Sequence, residues 1–90
     1  MLEYKFDTQL LVEGRNLDED DIHDDIMANI KGDCLLVVGD ENLVKIHFHT
    51  NEPWQVLAYC ASLGEIYDIV AGTFLVVGLG PESFSSLSPD

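Results

Sequence analysis

Residues 32–49 read GDCLLVVGDENLVKIHFH, which is an apolar run, a polar turn and an alternating segment. The run Cys34–Val38 is continuously apolar, whereas Leu43–His49 alternates with a period of two, and both patterns are typical of β-strands. Between them, residues 39–42 (Gly-Asp-Glu-Asn) provide a four-residue loop. The stretch therefore predicts a β-hairpin in the middle of the chain.

The alternation also assigns side chains to faces, because neighbouring residues of a strand point to opposite sides of the sheet. One face of the second hairpin strand carries Val44, Ile46 and Phe48. The opposite face carries Lys45, His47 and His49. The segment Tyr4–Glu13 alternates too, with an apolar side formed by Tyr4, Phe6, Thr8, Leu10 and Val12. Its other side includes Lys5, Asp7 and Gln9, so we expect two strands that each bury one face.

Two helices and a fourth strand complete the pattern. Asp18–Ile30 is amphipathic, and Asp18 is suited to cap its start. Its apolar side chains are Ile22, Ile26, Met27 and Ile30. Residues 51–53 (Asn-Glu-Pro) indicate a second helix start, with a capping side chain and a proline in the first turn. This helix is predicted over Trp54–Leu63, with Val56, Leu57, Cys60 and Ala61 buried, and Glu65–Ala71 is the fourth strand candidate.

The predicted order is β-α-β-β-α-β, the split βαβ arrangement of ferredoxin-like α+β domains. We expect a four-stranded sheet with both helices on one face, and the first and third strands as parallel neighbours at its centre. Residues 1–72 form this domain. Residues 73–90 contain a short apolar segment, Phe74–Val77, and a Ser/Pro-rich tail.

Composition excludes several classes of function. Four Lys and Arg against 17 Asp and Glu give a net charge of −13 in 90 residues, so nucleic acid and anionic membranes would repel the chain. No uncharged stretch is long enough to span a bilayer, and the charged N-terminus does not resemble a signal peptide. Two cysteines do not make a disulfide framework, so the expected location is the cytoplasm.

The polar faces of the first and third strands hold the strongest candidate site. If these strands are neighbours, Asp7 converges with His47 and His49, and this set of two imidazoles and a carboxylate leaves a fourth position open on a metal ion. Zinc is the favoured metal, while iron(II) or another divalent ion is the alternative. A second interpretation makes both histidines ordinary surface residues, with Lys45 balancing negative charge.

Other chemistry is less well supported. The acidic run at residues 18–25 lacks the ligand spacing of a calcium loop and fits a solvated helix face. Cys34 and Cys60 lie in apolar contexts and are expected in the core. No nucleophile–base pair is evident, so no catalytic or cofactor-binding residue is assigned.

Three segments together resemble a known family: residues 4–9 (YKFDTQ), 32–40 (GDCLLVVGD) and 43–51 (LVKIHFHTN). The family is the middle domain of the bacterial fatty acid kinase A subunit, which is related to dihydroxyacetone kinase and has been described as DegV- or phosphatase-related. The likeness covers roughly the first 70 residues. Its most specific part is Val44–Thr50, which is similar to the family signature K-V-H-V-H-T.

The resemblance implies a kinase domain before this module and, after it, a domain that engages a DegV-type fatty-acid-binding protein. Such a kinase transfers phosphate from ATP to the partner-bound fatty acid. The family's zinc ligands, a first-strand Cys and two His, correspond to Asp7, His47 and His49. The chain departs from the family's Y-G-Y-C-T-E pattern, since Lys5 replaces Gly, Asp7 replaces Cys and Gln9 replaces Glu.

The expected function is a non-catalytic, zinc-binding structural and assembly module of a fatty-acid-kinase-type protein. Its expected partners are the other domains of the kinase chain, a DegV-type protein and a second copy of itself. One alternative is a small metal-dependent hydrolase that uses the open metal position to activate water. The other is a regulatory ferredoxin-like domain that binds a ligand or dimerises through its sheet.

Overall fold

The computed structural model describes residues 4–73. Its elements are β1 (Phe6–Gly14), α1 (Glu19–Asn29), β2 (Gly32–Gly39), β3 (Leu43–Thr50), α2 (Pro53–Ala61) and β4 (Gly64–Thr73). The four strands form one sheet in the order β2-β3-β1-β4. This confirms the α+β ferredoxin-like arrangement. The predicted apolar segment Phe74–Val77 and the tail lie outside the described residues.

The strands β1 and β3 are central neighbours, but they run antiparallel, so the expected parallel pairing was wrong. The crossover through α1 returns the chain to β2 in the direction of β1. The hairpin then reverses it, so β3, which lies between β2 and β1, runs opposite to both. The observed register pairs Asp7 with His49 and Gln9 with His47.

The core lies between the helices and one face of the sheet. The strands contribute buried side chains at alternate positions: Leu10, Val12, Val44, Ile46 and Phe48. The helices contribute buried side chains one turn apart: Ile22, Ile26, Val56 and Cys60. Two residues expected in the apolar faces of the helices lie at their margins, because Met27 is 48% exposed and Ala61 is exposed. Neither helix of the described chain is long and apolar enough to cross a membrane.

The start of α1 is capped as predicted. Oδ1 of Asp18 accepts hydrogen bonds from the backbone N–H groups of Asp20 (2.9 Å) and Asp21 (3.1 Å). A carboxylate of the first turn also fixes the neighbouring strand, since Oε2 of Glu19 accepts from the backbone N–H of Gly39 at 2.6 Å. The acidic first turn therefore holds the end of β2 as well as its own helix.

The start of α2 differs from the prediction. Pro53 occupies the first turn as expected, but the cap residue is Glu52 and its side chain makes no capping hydrogen bond to the described helix. Oδ1 of Asn51 instead accepts from the backbone N–H of Lys5 at 2.8 Å. This side chain ties the entry of α2 to the start of β1.

Both cysteines were expected in the core. Cys60 is buried there, but Cys34 is exposed. The pairing of β2 with β3 shifts register between Asp33 and Leu36, and Cys34 has a left-handed φ of 56°. A bulge of this kind interrupts the alternation of side chains along a strand. The apolar run at Cys34 therefore does not turn its first side chain into the core.

Candidate metal centre

The face of the sheet turned away from the helices, here called the open face, carries the polar residues of β1 and β3. In an antiparallel pair, residues that are opposite in register point to the same side. The open face accordingly carries the cross-strand pairs Asp7–His49 and Gln9–His47. These positions alternate with core residues such as Phe48 and Leu10, so the packing of the core fixes their direction.

The structure brings all three predicted site residues together. Oδ1 of Asp7 lies 3.2 Å from Nε2 of His47 and 3.9 Å from Nε2 of His49. The two Nε2 atoms are 3.0 Å apart. The ring planes are inclined by 52°, with their centroids 4.9 Å apart. Three donor atoms from the two central strands thus point at one small volume.

These separations suit a tetrahedral metal. Zinc bonds of about 2.0–2.2 Å to nitrogen and oxygen place neighbouring donors about 3.3–3.6 Å apart. The observed values of 3.0, 3.2 and 3.9 Å bracket that spacing. The three side chains are 23–32% exposed, so an ion could reach the site from the open face.

The carboxylate of Asp7 is oriented by a neighbour and retains one oxygen for a further contact. Nε2 of Gln9 donates to its Oδ2 at 3.2 Å. Oδ1 is buried and, within residues 4–73, accepts no hydrogen bond of good geometry. A buried carboxylate oxygen normally has a partner, so this atom fits a position that faces a cation.

The signature residues Val44–Thr50 thus lie on the central strand of this site. A profile of the middle domain of fatty acid kinase A-subunit-like proteins matches residues 3–74. The chain belongs to this family. The matched range begins just before β1 and ends just after β4, so it includes every element described above.

Relatives of this middle domain are much longer proteins. Protein YloV of Bacillus subtilis is 38% identical over 72 residues, a match that covers 76% of this chain and 13% of that protein. An uncharacterised protein of Staphylococcus saprophyticus and another of Staphylococcus aureus (strain USA300) are each 37% identical over 67 residues. Those matches cover 70% of this chain and 12% of each relative. The chain is therefore a fatty-acid-kinase-related module that spans about an eighth of the relatives' length.

The same atoms of the middle domain also suit a metal-free arrangement. At 3.0 Å, the two imidazoles can share one N–H···N hydrogen bond, in which the tautomer decides the donor. Both histidines are partly buried and face Asp7. Lys45 lies on β3 two residues before His47. It lines a hollow of about 290 Å³ on the open face, together with Gln9, Leu36, Val38 and His47. The interpretation as plain surface histidines therefore fits the structure less well than a cluster around Asp7.

Sequence reasoning missed two donors at the edge of this centre. Oδ1 of Asp33 lies 3.7 Å from Nδ1 of His49, and Cys34 is close to both residues. The sequence pattern assigns no role to Asp33 and predicts Cys34 in the core. The alternation of β3 gave no signal for them, because the bulge in β2 is what places them beside His49.

Proposed function

We propose that this middle domain is a non-catalytic, zinc-binding structural and assembly module of a fatty-acid-kinase-type protein. Asp7, His47 and His49 are its metal ligands. The observation that carries the proposal is the convergence of their three donor atoms, at separations of 3.0–3.9 Å, from neighbouring central strands. An ion held there would link β1 and β3 on the face that the helices leave uncovered.

The donor set favours zinc and leaves a position for another group. Two imidazoles and one carboxylate are common zinc ligands, and they also suit iron(II). Three protein ligands leave the fourth tetrahedral position to water or to a side chain from elsewhere. The role of Gln9 is to orient Asp7 through the 3.2 Å hydrogen bond to Oδ2.

The assembly role is supported by apolar side chains around the site. Leu36 and Val38 pair with His47 and Lys45 and therefore share the open face. They are 59% and 51% exposed, and Val70 of β4 is 56% exposed. Exposed apolar residues clustered beside a polar site are typical of an interaction surface. The proposed occupant of this surface is another domain of the same kinase chain.

The activity of the whole protein is assigned to other parts of that chain. Transfer of phosphate from ATP to a partner-bound fatty acid needs nucleotide, magnesium and lipid sites. We propose that those sites, and the contact with a DegV-type fatty-acid-binding protein, lie in the remainder of a longer protein. The proposal gives the middle domain no turnover of its own.

Metal analysis of protein purified without chelators tests the metal centre. The expected content is one zinc ion per chain, and a zinc concentration of 100 times Kd should stabilise the chain by about 2.7 kcal/mol. His47→Gln and His49→Gln should lose the metal and the stabilisation. His23→Gln is the matched control, because His23 lies on the exposed side of α1 beside Asp24.

Two results would overturn the metal assignment. One is a wild-type chain whose melting temperature does not respond to zinc. The other is equal zinc content in the wild type, His47→Gln and His23→Gln. A metal-free chain that melts like the zinc-loaded one would leave the hydrogen-bonded cluster as the correct description.

Hydrogen exchange tests the assembly role. The backbone amides of β2 should exchange more slowly in the full-length kinase chain than in the 90-residue chain, because a neighbouring domain covers the open face at Leu36 and Val38. Equal exchange in both would contradict this. Slower exchange at higher concentration of the 90-residue chain alone would instead identify a second copy as the occupant.

A further inference from the structure

A second group of donor atoms lies beside the proposed zinc centre, at the edge of the sheet. It consists of Asp33, Cys34 and His49, whose ligand atoms all lie within 4.8 Å of one another. Oδ1 of Asp33 is 3.7 Å from Nδ1 of His49, whereas Asp7 lies on the Nε2 side of that ring. The two donor groups therefore approach His49 from different ring nitrogens.

The bulge in β2 creates this second group. In register, Asp33 is opposite His49 and Leu36 is opposite His47, so Cys34 and Leu35 lie in the irregular segment between the two pairs. Cys34 is exposed, and its left-handed φ of 56° breaks the alternation that would otherwise turn it away from Asp33. The thiol thereby reaches the same neighbourhood as the carboxylate and the imidazole.

We propose that Asp33, Cys34 and Nδ1 of His49 form a separate binding position for a soft divalent cation such as cadmium. Thiolate sulfur and imidazole nitrogen are the donors that such ions prefer, and the carboxylate supplies a third ligand and negative charge. On binding, the thiol of Cys34 loses its proton to solvent and sulfur donates an electron pair to the metal. The exposure of Cys34 gives the ion direct access from solvent.

The two positions exclude one another at neutral pH. A neutral imidazole offers one nitrogen lone pair and keeps a proton on its other nitrogen. His49 therefore binds a metal ion either through Nε2, together with Asp7 and His47, or through Nδ1, together with Asp33 and Cys34. The chain binds one ion, and a soft ion selects the position that contains Cys34. This position shares only His49 with the proposed zinc centre and does not depend on that centre being correct.

Cadmium titration, followed by the thiolate-to-cadmium charge-transfer absorption in the ultraviolet, tests the proposal. The wild type should develop the band with one cadmium ion per chain. Cys34→Ser should lose the band and bind cadmium at least about tenfold more weakly, since loss of a supporting residue alone costs that much. His47→Gln, which removes a ligand of the proposed zinc centre only, should keep the band.

Cys60→Ala is the matched control for the thiol. Cys60 is fully buried in the core, and burial raises the pKa of its thiol to about 12, so the charge-transfer band should be unchanged in this variant. Far-ultraviolet circular dichroism establishes that each variant is folded.

Three outcomes would overturn the proposal. The first is cadmium bound without a charge-transfer band, or not bound at all. The second is a band that persists in Cys34→Ser. The third is a band lost equally in His47→Gln and Cys34→Ser, which would place the thiol in the proposed zinc centre. Failure of the zinc centre itself would appear separately, as zinc binding that does not change in His47→Gln.

Discussion

Oδ1 of Asp7 on β1 lies 3.2 Å from Nε2 of His47 on β3, although the residue directly opposite Asp7 is His49. The carboxylate therefore reaches diagonally across the strand pair. The same oxygen is 3.9 Å from Nε2 of His49. One oxygen atom of β1 thus lies near both imidazoles of β3, and this proximity gives the candidate centre its shape.

Two substitutions of Asp7 should change the zinc affinity in opposite directions. Asp7→Cys replaces an oxygen donor with a thiolate, which zinc favours, and should bind zinc about tenfold or more tightly. Asp7→Asn removes the negative charge and should weaken binding by at least about tenfold. Competition with a chromogenic chelator measures both effects. Asp24→Asn is the control, because Asp24 is an exposed aspartate on α1. Wild-type zinc affinity in Asp7→Asn would contradict the assignment of Asp7 as a ligand.

Loss of Gln9 should weaken zinc binding without unfolding the chain. Its amide fixes Asp7 through Oδ2, and removal of such a supporting hydrogen bond lowers metal affinity by about 10–100-fold. Gln9→Ala should show that loss in zinc titration calorimetry. Gln55→Ala removes a glutamine from α2, far along the chain from this site, and should bind zinc like the wild type. Equal affinities in the two variants would show that Gln9 has no positioning role.

The hydroxyl of Thr50 should contribute to stability at the junction of β3 and α2. This buried hydroxyl donates to the backbone carbonyl of Lys31 at 2.7 Å and accepts from the backbone N–H of Glu52 at 3.1 Å. Thr50→Val keeps the shape but leaves both backbone groups without this partner, so the free energy of unfolding should fall by about 1–3 kcal/mol. Urea denaturation measures the change. Thr50→Ser, which keeps the hydroxyl, should lose less, and the reverse order would contradict the explanation.

The contribution of the β2–β3 loop to the stability of the fold should decrease at low pH. The backbone N–H groups of Asn42 and Leu43 donate to Oδ1 of Asp40 at 2.8 and 3.0 Å and hold the pKa of Asp40 below its usual value. Its contribution to stability is complete above the pKa of about 3.9 in the unfolded chain and is lost as the pH falls through the lowered folded value.

Asp40→Asn tests this pH dependence. The stability difference between the wild type and this variant should narrow as the pH falls from about 5 to about 2, because protonation removes the same charge from the wild type. Glu41→Gln removes one charge from the same loop and controls for the general effect of net charge. A difference that stays constant over this range would contradict the role of Asp40.

Two facts were enough for the sequence to predict that Asp7, His47 and His49 lie together. Alternation placed Asp7, His47 and His49 on the polar faces of β1 and β3, and the element order made those strands neighbours. Neither fact depends on strand direction. The wrong expectation of parallel pairing therefore left the three residues together, although it could not give the register that pairs Asp7 with His49.

The surroundings of the centre could not be predicted in the same way. The exposure of Cys34 follows from a bulge in an edge strand, and an apolar run carries no sign of where a bulge falls. The role of Asn51 depends on the backbone of Lys5, 46 residues away in the chain. Local rules favour a helix cap at Asn51, and the tertiary contact replaces it.

Zinc titration followed by the imidazole nitrogen NMR signals distinguishes the proposed ligands atom by atom. We predict that one equivalent of zinc shifts the Nε2 signals of His47 and His49 together and leaves those of His23, on the exposed side of α1, unchanged. Asp7→Asn should shift the midpoint of this change to higher zinc concentration. Zinc that leaves His47 and His49 unshifted, or that shifts His23 equally, would contradict the assignment of this face as a metal centre.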